Sequence, residues 1–364
     1  TYTKLESSLS NDTDENSGSP HNITGWPGCE GGQVFVLIDV LDAGEQRPFQ
    51  LRLGVRIPND SSLPEFALKH LVTLVREIIA KPDLPIGGAP MITGDEEDAL
   101  NAMLDTRSQY PETPATFMEK YRFWVERATA AIAVQDAETS LTYAQLDERV
   151  DKLAQILFDA GVNPGDRVAV CLQRSSDLVT ALLAVLDLGG VYVPVDPNNP
   201  QQRIAAICKV AEPAAVLVHE ETRSLLAAQH TAEIVLKAEY WTQVSQVRNA
   251  PRGQYEISNI IFTSGSTGIP KGVSITHRGL ANHLESMCEL LEFDRNGRML
   301  ALTTAAFDAA IMEMCLPLWS GGTVEIISEA SRRDPFAIAQ LLFTERKSTM
   351  FATPATWQML IDKG

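Results

Sequence analysis

The sequence contains no Gly-Lys dipeptide, no His-His pair, no Cys-x-x-Cys, no His-Glu-x-x-His and no Gly-x-Ser-x-Gly. Each absence removes a class of chemistry. Without Gly-Lys followed by Ser or Thr there is no Walker nucleotide loop, and the zinc-protease and serine-hydrolase signatures are missing as well. Cysteine is scarce: Cys29, Cys171, Cys208, Cys288 and Cys315 are scattered and odd in number. That pattern argues against a disulfide framework and a zinc site, and it suits a reducing cytoplasm. Basic residues are outnumbered, 30 Lys and Arg against 47 Asp and Glu, for a formal charge of −17. A nucleic acid or an anionic membrane is therefore not expected as a partner. The most apolar stretches, 178–195 and 303–327, are broken by Asp187 in one and by Asp308, Glu313 and Pro317 in the other, so neither reads as a membrane span.

What the sequence does have is the run 257–276, Ile-Ser-Asn-Ile-Ile-Phe-Thr-Ser-Gly-Ser-Thr-Gly-Ile-Pro-Lys-Gly-Val-Ser-Ile-Thr. It begins apolar and opens into hydroxyl residues and glycines that close on one lysine. Gly265 and Gly268 lack a Cβ, so the backbone can bend and bring its N–H groups against an anion. Thr263, Ser264, Ser266 and Thr267 add hydroxyl donors, and Lys271 adds a mobile positive charge. The run reads as a phosphate-binding loop; the plain alternative is a Gly- and Ser-rich surface turn.

At 364 residues and 45% hydrophobic content the chain has room for two or three cores. Residues 1–33 lack apolar periodicity and read as an irregular lead-in. Residues 34–105 form a first segment, with strands expected at Val34 to Val40 and, by its period of two, at Phe49 to Ile57. A helix follows from Pro64, its stripe running through Leu68, Leu71, Val72, Val75 and Ile78 until Pro82 stops it, and a short acidic helix spans Asp95 to Leu104. From Ala131 short strands alternate with helices, the pattern of a parallel α/β sheet. Thr142 with Gln145 is a capping box for a helix from Tyr143 to Ala160, stopped at Gly161.

Three further stretches complete a pattern: Leu141-Thr-Tyr-Ala-Gln-Leu146, Leu186-Asp-Leu-Gly-Gly-Val-Tyr-Val-Pro-Val-Asp196 and Phe307-Asp-Ala-Ala-Ile-Met-Glu-Met314. With the loop, and in this order, they resemble the core motifs of amino-acid adenylation domains within the adenylate-forming (AMP-binding) superfamily. Asp187 stands where that family more often has a lysine or another polar residue. The first segment, with its trailing Pro-Ile-Gly-Gly-Ala-Pro-Met-Ile-Thr-Gly-Asp-Glu-Glu, is similar by order alone to the end of a condensation domain and its linker. It lacks the His-His pair that carries peptide-bond formation in that family, so no condensation activity is assigned to it. The resemblance implies a fold of layered α/β sheets over 106–364, preceded by a small α+β remnant at 34–105.

The resemblance also implies a site. Thr263, Ser264, Gly265, Ser266, Thr267, Gly268 and Lys271 would hold the triphosphate of ATP, which brings Mg2+ with it. Asp308 has two readings: a plain helix cap, or the partner of a substrate α-ammonium. Met312 stacks one turn above it on a helix, with Ala309 beside them. Phe351 reads equally as a core aromatic or as a pocket wall. His277 and His283, six apart, are expected to be structural.

In the family, an amino-acid carboxylate attacks the α-phosphorus of ATP, pyrophosphate leaves, and the acyl-AMP passes to a thiol. That thiol is the phosphopantetheine of a carrier domain, which lies outside this chain, so neighbouring condensation and carrier domains are the expected partners. The catalytic lysine of the family's lid and its adenine contacts have no match before Gly364. The 364 residues are therefore expected to be inactive alone, as the condensation-adenylation junction of a nonribosomal peptide synthetase. An acyl-CoA or aryl-acid ligase fragment, and a non-catalytic interaction module, are the alternatives.

Overall fold

The computed structural model describes residues 35–41, 50–56, 63–83, 85–105, 116–226, 232–242, 249–253, 255–264, 269–343 and 347–363. The expected lead-in at 1–33 lies outside them, as do Gly265, Ser266, Thr267 and Gly268 of the loop. The chain divides into two compact units, Thr1–Ser108 and Gln109–Gly364, so the division falls three residues beyond the one read from sequence.

In the first unit, β1 (Phe35–Leu41) pairs antiparallel with β2 (Gln50–Arg56), with Ile38 opposite Leu53. Helix α1 (Leu63–Ala80) ends before Pro82, and α2 (Gly94–Leu104) begins at a capping box that the sequence reading did not name. The Thr93 hydroxyl accepts from Glu96 N–H while the Glu96 carboxylate accepts from Thr93 N–H at 2.8 Å. His70 Nε2 lies 3.1 Å from Glu96 Oε1 and ties α1 to α2.

In the second unit α3 (Phe117–Arg127) leads to β3 (Ile132–Gln135) and β4 (Ser140–Thr142). Helix α4 (Tyr143–Asp159) starts at the expected box: Thr142 N–H donates to Gln145 Oε1 at 2.9 Å, and Gln145 N–H returns to Thr142 Oγ1. It stops where Gly161 takes φ +90, the left-handed region open to glycine. There follow β5 (Arg167–Cys171), α5 (Ser176–Asp187), β6 (Val191–Pro194), α6 (Gln201–Ala211), β7 (Ala215–Val218), β8 (Ala232–Val235) and α7 (Glu239–Thr242). Then come β9 (Ile257–Thr263), β10 (Lys271–Thr276), α8 (His277–Leu291), β11 (Arg298–Ala301), α9 (Asp308–Ser320) and β12 (Thr323–Ile326). Last are α10 (Pro335–Leu342), β13 (Ser348–Met350) and α11 (Pro354–Lys363).

These strands make two sheets, ordered β10-β9-β6-β5-β7-β8 and β13-β11-β12-β3-β4. The expected parallel sheet needs a correction: β9–β10 and β3–β4 are antiparallel, at one edge of each otherwise parallel sheet. Apolar composition marks a strand but not its direction; the short β9–β10 and β3–β4 connections leave no room for a crossover helix and force hairpins.

Period-two alternation explains the layers. Val168 and Val170 of β5 face one cluster, shared with α3, α4, α5, α8 and α9 and with Met299 and Ala301 of β11. Ala169 and Cys171 face α6 on the other side, and Leu300 and Leu302 face Ile338 of α10 and Leu360 of α11. Helices thus cover both faces of the central strands, so β6, β7 and β11 are buried throughout, whereas the edge strand β10 is largely exposed.

Asp187, unusual for its motif, is buried at the end of α5 and ion-paired to Arg122 of α3. Gly189 then turns at φ +79, and Gly190 N–H closes on Val185 O at 2.8 Å before β6.

Candidate functional site

Helix α9 carries the Phe-Asp motif, and its position is fixed from both sides. Behind it, Trp319 is buried against Phe117, with ring centroids 6.5 Å apart, and its indole N–H donates to Glu285 of α8 at 2.7 Å. In front, the Glu313 carboxylate accepts the Thr303 N–H at 2.8 Å and the Thr303 hydroxyl at 2.7 Å. That grips the turn between β11 and α9. The guanidinium of Arg174, just after β5, donates to the carbonyls of Ala301, Thr303 and Ile327, which joins the two sheets at the same turn. Glu313 is 0% exposed. Burial pushes its carboxyl up to about 7, against the opposing pull of Thr303 and the charge on Arg174.

The helix cap is Phe307, not Asp308, and Asp308 is the first helical residue. Its Oδ1 accepts from the adjacent Ala309 N–H at 2.8 Å, a local contact that leaves the carboxylate exposed. The capping reading of Asp308 is corrected accordingly.

Asp308, Ala309, Met312 and Phe351 line one cavity of about 520 Å³. Three further elements complete it: Asn259 and Ile261 of β9, Ile275 of β10, and Leu280, His283 and Met287 of α8. The walls are mostly aliphatic and thioether. Sequence reasoning missed the α8 contribution. It judged His283 with His277 as a pair and found no ligand spacing, whereas the two part company in the fold. His277 is buried with Nδ1 unpartnered among the described residues, and burial pushes its imidazole down. His283 faces the cavity. The informative signal was the stripe Gly279, His283, Met287 at helical spacing.

Of the candidate phosphate-loop residues, Thr263 closes β9, Ser264 follows it and Lys271 opens β10. Thr263 pairs with Lys271 in register, its hydroxyl donating to Lys271 O at 3.4 Å, and Thr263, Ser264 and Lys271 are all exposed. A Walker loop joins a strand to a helix; this loop joins two strands. The same hairpin supplies Asn259, Ile261 and Ile275 to the cavity, so one element serves both features.

A separate crevice of about 690 Å³ lies at the carboxyl ends of β3, β5 and β7. There Asp177 is shared between Arg149 at 3.3 Å and His219 at 3.3 Å, and Arg149 lies over the Trp241 ring. Among the described residues no group of three His, Cys, Asp or Glu side chains is arranged to hold a metal ion, and no helix is long and apolar enough to cross a membrane.

The layered sheets, the hairpin loop and the motif-lined cavity together define an adenylate-forming architecture. The AMP-binding enzyme family matches residues 121–364, and the chain belongs to that family. Among curated relatives, the hybrid PKS-NRPS synthetase LUC5 of Fusarium sp is 34% identical over 253 residues, 68% of this chain and 6% of that protein. Tyrocidine synthase 3 of Brevibacillus parabrevis is 29% identical over 319 residues, 86% of this chain and 5% of that protein. The chain thus spans a small part of the relatives it matches. Among solved structures, the holo four-domain nonribosomal peptide synthetase AB3403, bound to AMP and glycine, superposes with a TM-score of 0.76 at 24% identity, over 91% of this chain and 24% of that one. The synthetase FmoA3, in its form bound to alpha-methyl-L-serine-AMP, gives 0.73 at 25% identity, over 91% and 37%.

Proposed function

We propose that this chain carries the amino-acid-activating site of a nonribosomal peptide synthetase. The loop from Thr263 through Ser264, Gly265, Ser266, Thr267 and Gly268 to Lys271 holds the ATP triphosphate with its Mg2+. Asp308 accepts the substrate α-ammonium, and Ala309, Met312 and Phe351 shape the space for its side chain. The substrate carboxylate then displaces pyrophosphate from the α-phosphorus, and the aminoacyl-AMP is consumed by a carrier-domain phosphopantetheine thiol outside these residues.

One observation carries the reading: four residues spread from 308 to 351 converge on one cavity with an exposed carboxylate at a helix start. A ligase for acyl or aryl acids has no ammonium for that carboxylate to meet. The loop chemistry fits a polyphosphate, because Lys271 is exposed beside two hydroxyl residues on a hairpin that also walls the cavity. The tyrocidine synthase match, whose 319 residues exceed the length of Gln109–Gly364, reaches into the first unit and so is compatible with deriving that unit from a neighbouring synthetase domain. The working location is the cytoplasm, where the free thiols of Cys171, Cys208, Cys288 and Cys315 stay reduced.

The test is amino-acid-dependent exchange of labelled pyrophosphate into ATP by the intact gene product containing these residues. Exchange stimulated by at least one amino acid, and requiring more ATP in Lys271→Ala, is expected. Exchange stimulated only by carboxylic acids lacking an amino group overturns the reading.

A further inference from the structure

We infer that His283 is a specificity-determining residue and that the activated amino acid has a bulky, uncharged side chain, apolar along its length and bearing one hydrogen-bonding group, as a phenol does. This rests on the amino-acid-activating reading above.

The charge argument comes first. Among the described residues Asp308 is the only carboxylate lining the cavity, and no Lys or Arg of them lines it. With Asp308 engaged by the α-ammonium, a basic side chain would find no counter-charge, and an acidic one would meet no fixed cation. Either would lose its hydration without compensation. Size comes next. The cavity of about 520 Å³ falls within the range of roughly 300–1,000 Å³ common to small-molecule sites. Ile261, Leu280, Ile311 and Met312 line it with apolar atoms, a surface that suits an aromatic ring.

His283 supplies the remaining selectivity. It sits one turn after Gly279 and one turn before Met287 on the same face of α8. Side chains on a helix lean over the turn that precedes them, so the imidazole lies toward Gly279, which has no side chain to fill that space. A Cβ there would meet only the Thr276 hydroxyl, at 3.1 Å. Met287 and Leu280 line the same cavity with apolar surface. His283 makes no hydrogen bond or ion pair among the described residues, so a substrate group is free to take its ring nitrogens. A site that offers such a partner rejects an analogue lacking the matching group, because the protein group is then desolvated unpaired.

Pyrophosphate exchange by the intact gene product, run with tyrosine, phenylalanine, serine, lysine and glutamate, tests the inference. Tyrosine should exceed phenylalanine by about tenfold or more in kcat/KM, with the gap carried largely by KM, and serine, lysine and glutamate should be weaker still. His283→Leu should close the gap between tyrosine and phenylalanine, and His283→Gln, which keeps a hydrogen-bonding side chain, should reopen part of it. A preference for serine, lysine or glutamate overturns the inference while leaving amino-acid activation intact, as does a tyrosine-to-phenylalanine ratio that His283→Leu does not move. Exchange with no amino acid at all rejects both readings.

Discussion

Replacing Glu313 by Gln should make the protein more stable at pH 8 and change it little at pH 5. The side chain is fully buried, and burial raises its carboxyl from the ordinary 4.5 to about 7. Between those two values the folded protein holds a proton that the unfolded chain has released. Stability therefore falls as pH rises through this window, and the loss is complete above the folded value. A displacement of that size corresponds to about 3 kcal/mol at 1.36 kcal/mol per pH unit. Glutamine has the same shape and no charge: its Oε1 can accept the Thr303 N–H, and its amide can meet the Thr303 hydroxyl. Urea unfolding of both proteins at pH 5 and pH 8 isolates the effect, because other titrating groups cancel in the difference. The stability of the Gln variant relative to the parent should rise by about 3 kcal/mol between the two pH values. A gap that stays constant, or one in which the parent gains at pH 8, would refute the reasoning. The latter would mean that attraction to Arg174 outweighs burial and that Glu313 is ionised in the fold.

Three other perturbations follow from the geometry. Lys271→Ala should weaken ATP binding by roughly tenfold to a hundredfold, the value of one charge-assisted contact, while leaving the amino-acid dissociation constant in place; titration calorimetry separates the two. Tyr143→Phe removes a buried hydroxyl that donates to Gly322 O at 2.9 Å, and the stranded carbonyl should cost about 1–3 kcal/mol in chemical denaturation. Arg122→Ala removes the α3 partner of the buried Asp187, which keeps Arg252 at 4.0 Å, and a loss of about 1–3 kcal/mol, smaller in the double variant with Asp187→Asn, is expected.

Features encoded locally were legible in the sequence. The Thr142–Gln145 box and the stop at Gly161 depend on residues a few positions apart, and strands β3 and β9 begin and end where their apolar runs do. Strands β4 and β8 were not seen: Ser140–Thr142 and Ala232–Val235 are short edge strands whose pairing comes from a neighbour, not from their own pattern. Strand direction was misjudged at β10 because alternation is the same in parallel and antiparallel ladders. The site was partly legible. Asp308, Ala309 and Met312 share a helix, and their common face follows from its period. His283 and Glu313 were obscured for different reasons. His283 joins the cavity through the packing of α8 beside α9, and Glu313 registered only as a break in an apolar run. Arg174, which grips the same Thr303 and whose charge acts on Glu313, follows a strand of the other sheet, beyond the reach of any local pattern.

The central claim is that Asp308 reads the α-amino group of the substrate. Its most direct test compares, on the intact gene product, the binding of the best amino acid with that of the same acid lacking its α-amino group, in the parent and in Asp308→Asn. The parent should favour the amino acid by roughly tenfold to a hundredfold, as a charge-assisted hydrogen bond provides, and the variant should bind the two about equally. A preference that survives Asp308→Asn undiminished would place the ammonium elsewhere and contradict the account.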